Sequence, residues 1–133
     1  MVEPYANPFR TYPLEMDYTR FKTLIADGVA CYVLNTGAFM GKKVKPADTL
    51  GILEAIVEGT ADFKSWGPFE DIKILDWPGF EANLNEPTYR AEFKARMADR
   101  VSFVESRATE MGGADQLPAD ALKALEAVVT KLK

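Results

Sequence analysis

The sequence predicts an α/β fold, a small sheet with several packed helices, and three patterns carry that expectation. An apolar run at positions 29–34, V-A-C-Y-V-L, is rich in β-branched and aromatic residues and reads as a buried strand. Between Pro46 and Gly59, residues Leu50, Leu53, Ile56 and Val57 line one face of a helix. Positions 71–76, D-I-K-I-L-D, alternate as a second strand would. With 133 residues the chain suits a single domain, residues 1–133, large enough to bury a core.

The first thirteen positions hold three prolines and three aromatics, which predicts an extended opening that packs against this domain or a neighbour. Asp17 is the expected N-cap of a helix carrying Phe21, Leu24 and Ile25, with Gly28 as its stop. The strand at 29–34 follows and is ended by Asn35, Thr36 and Gly37. Pro46 suits a helix's first turn, Asp48 lies near the positive end of the dipole, and Gly59 closes the helix. Residues 60–70, with Trp66, Gly67 and Pro68, are turn-like, and Trp77, Pro78 and Gly79 break the second strand. Tyr89, Phe93, Met97, Val101 and Val104 then recur at helical spacing, with Asn85 as cap and Gly112–Gly113 as stop. A terminal helix in residues 113–133 runs from Pro118 to Leu132 and aligns Leu122, Leu125, Val129 and Leu132.

Composition removes several chemistries. The chain has no histidine, so Ser-His-Asp, Cys-His and histidine-ligated metal sites are excluded. Its one cysteine, Cys31, cannot form an internal disulfide and is expected as a buried core thiol. A net charge of -4 argues against general nucleic-acid binding. No apolar run approaches the ~20 residues of a membrane span, and no signal-peptide pattern opens the chain. The expectation is a cytoplasmic protein with neither a nucleic-acid nor a membrane partner.

The turn Gly41-Lys42-Lys43-Val44-Lys45 is the candidate ligand site, because lysine suits phosphate and a helix amino terminus lies just beyond. It is not a P-loop, since G-x-x-x-x-G-K-[ST] is absent. On the residues alone, three lysines in a turn are more usually a solvated surface. Thr49, in the helix's first turn, bonds either a ligand or the backbone. The carboxylate pairs Asp71/Asp76 and Glu54/Glu58 have no nucleophile or histidine beside them and read as surface. Aromatics and charges at 89–107 follow core and solvent-face spacing and form no base-stacking platform.

Taken in order, Y-V-L-N-T-G (32–37), G-K-K-V (41–44), D-T (48–49), I-L-E-A-I-V-E-G-T (52–60) and I-L-D (74–76) resemble the carboxy-terminal part of ATP-type phosphoenolpyruvate carboxykinase. The F-x-x-x-P at Phe9 to Pro13 resembles the family's approach to this segment, and the likeness covers residues 9–105. The resemblance implies a fold like that family's carboxy-terminal region. It also implies a parent that converts oxaloacetate and ATP to phosphoenolpyruvate, carbon dioxide and ADP with divalent metals. The family's G-K-R arginine falls on Lys43, the next aliphatic on Val44 and the D-T threonine on Thr49. These become the expected contacts to the adenine end of ATP, with Lys42 and Lys45 as further anion contacts. No catalytic residue and no metal ligand is expected in this chain.

Two positions depart from the family pattern: Ala38 stands where a tryptophan follows N-T-G, and Leu50 where an arginine follows D-T. The family's phosphate loop, metal ligands and oxaloacetate-binding arginines lie upstream of this segment. The resemblance therefore implies a shortened or split relative, or a start at Met1 that is not native, with an upstream domain of the parent as partner. The expectations are an isolated chain without carboxykinase activity and a homodimer formed through exposed apolar surface. The alternative is a non-catalytic structural or interaction module that kept the fold and lost the nucleotide.

Overall fold

A computed structural model describes residues 10–132, with Met111 described in its backbone alone. It is a small α/β fold of four helices and two small antiparallel sheets. The helices are α1 (Leu14–Ala26), α2 (Pro46–Glu58), α3 (Pro87–Arg107) and α4 (Ala119–Lys131), with a 3₁₀ turn at Glu110–Gly113. One sheet pairs β1 (Ala38–Phe39) with β2 (Lys42–Lys43), and the other pairs β3 (Phe63–Trp66) with β4 (Phe69–Leu75). The described chain divides into two compact units, residues 10–33 with Lys94–Lys131, and Leu34–Phe93 with Leu132.

The Leu34–Phe93 unit is built on aromatic rings. Trp66 lies 5.5 Å from Phe69 and 4.8 Å from Phe93, Tyr89 stacks on Phe93, and Phe39 meets Phe80 and Tyr89. Contacts of this kind add to the area burial of each ring. The Trp66 indole N–H donates to the Ala82 carbonyl at 2.7 Å, so the polar edge of the largest ring is satisfied as well. Gly67 and Pro68 make the β3–β4 turn, and Gly67 sits at φ 57 directly under the Leu84 side chain.

The other unit is held differently. The Leu14 N–H donates to the Ala114 carbonyl at 2.9 Å, Arg10 pairs with Asp115, and Lys22 with the Tyr18 hydroxyl holds Asp120. Arg107 lies over the Phe103 ring and pairs with Glu110. Leu14, Met97, Val104 and Ala121 are its buried side chains.

Several expectations are corrected. Residues 29–36 belong to no strand, and Val29, Tyr32, Val33 and Cys31 are exposed, so Cys31 is not a core thiol. An apolar run becomes a strand only where a neighbour satisfies its backbone groups, and no described strand lies beside this one. The segment at 60–70 is not all turn, because β3 occupies Phe63–Trp66. Helix α1 starts at Leu14, placing Asp17 inside it, and α3 is opened by Glu86, not Asn85. The Glu86 carboxylate accepts the Thr88 and Tyr89 amides, which are unpaired at any helix start. Helix α3 stops at Arg107, before Gly112–Gly113.

Helix α2 forms as expected but turns a different face inward. Leu50 is 65% and Val57 86% exposed, while Gly51, Ile52, Ala55 and Ile56 are half-buried. Gly51 lies against Trp77: a Cβ there would come within 3.2 Å of the ring, closer than ordinary contact, so the indole would have to shift slightly.

Candidate functional site

The candidate site lies on the β1–β2 hairpin and the first turn of α2, both within the Leu34–Phe93 unit. Asn35 organises the approach. Its side-chain oxygen accepts the Gly37 N–H at 3.0 Å, and its amide donates to the Ala38 carbonyl at 2.9 Å. This is the Asx turn that asparagine supports and few other side chains can. Ala38 then pairs with Lys43 and Phe39 with Lys42. Met40 (φ 47) and Gly41 (φ 79) make the connection, both left-handed as a two-residue hairpin turn of the primed type requires.

The structure separates the expected site residues into different roles. Lys43 is exposed on β2. Lys42 points elsewhere: its ammonium donates to the Gly79 carbonyl at 2.9 Å and lies 4.3 Å from the centre of the Phe80 ring. That cation–π contact ties the hairpin to the Trp77–Phe80 turn. Glu81 accepts the Gly79 N–H, and this bond, with the nearby Lys42 charge, holds its carboxyl below the ordinary value. Val44 is buried, and its N–H donates to the Gly37 carbonyl at 3.0 Å. A ligand would therefore meet the carbonyl side of Val44 and not its amide.

Lys45 is the N-cap of α2, and its side chain is exposed. Its N–H donates to the Asp48 carboxylate at 2.9 Å, while the Asp48 and Thr49 amides return to the Lys45 carbonyl. Pro46 contributes no N–H. The helix start thus carries its own carboxylate on its positive end, which stabilises the helix and competes with an incoming phosphate. The side chains of Lys43 and Lys45 are exposed on this edge, and Thr49 is half-buried at the start of α2.

Sequence reasoning passed over Asn35, Gly79 and Phe80. Asn35 was legible as a turn residue, but the Lys42–Gly79 tie spans a separation that no local pattern reports. A concavity of about 220 Å³ lies between the β3–β4 hairpin and residues 81–85. At its wall Lys64 is paired with Asp76, which raises the lysine above its ordinary value through that hydrogen bond and charge. Among the described residues no cluster of three or more metal-ligating side chains occurs, and no helix is long and apolar enough to cross a membrane. Comparison with protein families, characterised proteins and solved structures finds no match to this chain.

Proposed function

We propose that this chain is the nucleotide-proximal part of a phosphoenolpyruvate carboxykinase-like, ATP-using protein, and that the β1–β2 hairpin with the start of α2 forms one side of its adenine pocket. The observation that carries this reading is the ordered motif set from Y-V-L-N-T-G through G-K-K-V, D-T and I-L-E-A-I-V-E-G-T to I-L-D. The geometry supports the adenine end over the phosphate end, since Asp48 occupies the α2 start and Lys42 is engaged with Gly79 and Phe80. In this reading Lys43 lies beside the base, the Val44 carbonyl accepts from it, and Thr49 adds a hydroxyl. The parent reaction takes oxaloacetate and ATP to phosphoenolpyruvate, carbon dioxide and ADP. The divalent metals, phosphate loop and substrate arginines it needs come from an upstream domain. The isolated chain has no carboxykinase activity, because one polar edge cannot hold metal, phosphates and substrate together.

Calorimetric titration with ATP tests this, on this chain and on the protein extended with its upstream residues. The extended protein binds ATP, and Lys43→Ala weakens it about tenfold, or ~1.4 kcal/mol. No binding by the extended protein overturns the assignment.

A second reading, a non-catalytic module, is favoured by Ala38 and Leu50, which stand where the family has a tryptophan and an arginine. An upstream reading frame carrying G-x-x-x-x-G-K-[ST] and metal ligands decides for the enzyme, and a native start at Met1 decides for the module. In either case Lys42, Lys43 and Lys45 changed together to alanine leave phosphate affinity unchanged unless the turn is an anion binder in its own right.

A further inference from the structure

The β1–β2 hairpin is too short to hold its own shape. Its ladder consists of two residue pairs, Ala38 with Lys43 and Phe39 with Lys42, and an isolated two-stranded ribbon is marginal in water. Support comes from the turn at Trp77–Phe80, within the same unit. The Phe39 ring meets the Phe80 ring edge-on at 6.1 Å, and the Lys42 ammonium lies 4.3 Å from the centre of that ring. Phe39 and Lys42 are ladder partners, so both strands of the hairpin rest on one phenyl ring. The same ammonium donates to the Gly79 carbonyl at 2.9 Å, across 37 positions of sequence, while the Gly79 N–H is taken by the Glu81 carboxylate at 2.9 Å. Gly79 is therefore held through its carbonyl by a cation and through its amide by an anion. A Cβ at position 79 would overlap the Lys42 nitrogen, so the close approach depends on glycine there.

We propose that Lys42 is the positioning residue of the nucleotide edge: by gripping Gly79 and Phe80 it fixes the roll of β2, and with it the direction in which Lys43 meets the base. Side chains alternate along an extended strand, so anchoring one residue orients its neighbours. The alternation is present here, since Lys42 reaches Gly79 and Val44 is buried, while Lys43 and Lys45 are exposed. The Lys42 charge is engaged inside the unit, which separates its role from a direct phosphate contact. A strand already held in its bound geometry needs less ordering when ligand arrives, and preorganisation of this kind raises affinity. The inference rests on the adenine-pocket reading and adds to it a residue that touches no ligand.

Calorimetric titration of the extended protein tests the role, with ATP and inorganic triphosphate as the two probes. Lys42→Met keeps the reach of the side chain and removes its charge. It is expected to weaken ATP about tenfold and to leave triphosphate affinity within about twofold of wild type. Lys42→Arg, which can still donate to the Gly79 carbonyl and lie over Phe80, is expected to restore ATP affinity. In a Lys43→Ala background, Lys42→Met is expected to add less than about twofold, because it acts through the side chain already removed. Phe80→Leu removes the ring and keeps the Gly79 carbonyl; its expected loss is about threefold, and it carries the test if Lys42→Met fails to fold. Losses from Lys42→Met and Lys43→Ala that multiply overturn the proposal, as does an equal loss of triphosphate, which marks a direct phosphate contact. A wild-type protein that binds no ATP overturns the adenine reading and this inference together. ATP binding that ignores both Lys42→Met and Phe80→Leu overturns this inference alone.

Discussion

The two units of this chain cohere by different means. The Leu34–Phe93 unit rests on rings, with Trp66, Phe69 and Phe93 in mutual contact and Phe39, Phe80 and Tyr89 extending the cluster. The unit formed by residues 10–33 and Lys94–Lys131 joins its buried side chains Leu14, Met97, Val104 and Ala121 with polar ties at chain ends and helix starts. Ring packing acts through buried area and is insensitive to pH and salt, whereas an exposed ion pair such as Lys22–Asp120 is weak and sensitive to both, unlike the largely buried Arg10–Asp115. The candidate nucleotide edge lies in the ring-built unit.

The contrast breaks if the ring cluster proves dispensable. Trp66→Ala removes contacts to Phe69 and Phe93 and orphans the Ala82 carbonyl at once. The expected loss is about 3 kcal/mol, as for other large-to-small changes of a packed aromatic. Urea denaturation followed by far-ultraviolet circular dichroism measures it. A change within about 0.5 kcal/mol, the range of an ordinary surface position, would mean the rings touch without supporting the unit.

Parts of this architecture were legible in the sequence, and the boundary is physical. Helix α2 was readable from Pro46, Asp48 and Gly59, since a helix start and stop are local chemistry. Its inward face was not, because Leu50, Leu53 and Val57 compete with Ile52, Ala55 and Ile56, and the choice depends on distant partners such as Trp77, which lies against Gly51. The run at 29–34 has the composition of a strand, but strand formation depends on a neighbour, and neighbours are not written locally. Strand β3 was hidden because Trp66, Gly67 and Pro68 announce a turn, and its short F-K-S-W gives alternation nothing to count. At the candidate site the lysines were visible as a cluster. That Lys42 serves the Trp77–Phe80 turn while Lys43 faces solvent follows from the hairpin's pleat, which sequence spacing alone does not orient.

A smaller change sharpens the comparison from the site's side. Met40 is the one non-glycine residue at positive φ among the described residues, in a turn that favours asparagine followed by glycine. Asparagine adopts this conformation at lower cost than methionine, because its short polar side chain bonds locally. Met40→Asn is therefore expected to stabilise the chain by about 0.5–1 kcal/mol, read as a raised urea midpoint at constant slope. Destabilisation would show that the Met40 side chain contributes packing that outweighs its backbone strain.

The smallest effect tests the polar unit. Asp120 accepts from Lys22 at 2.6 Å and from the Tyr18 hydroxyl at 3.2 Å, and the Lys22 bond and charge hold its carboxyl below the ordinary 3.8. The same bond and charge hold Lys22 above the ordinary 10.5. A carboxyl lowered by folding contributes stability above its unfolded value, and that contribution disappears as pH falls through the lowered folded value. The raised lysine works in the opposite direction, contributing below 10.5 and losing its contribution as pH rises beyond. The pair is thus intact across neutral pH and fails at both extremes. Both side chains are more than half exposed, so water and salt screen the attraction. Asp120→Asn is expected to lower Tm slightly at pH 7, to lose that difference from wild type once pH falls below the lowered folded value of Asp120, and to lose it again in molar salt. Thermal scans at these three conditions decide the matter. A large penalty at pH 7 that survives high salt would place Asp120 among the supports of its unit and erase the contrast with the rings.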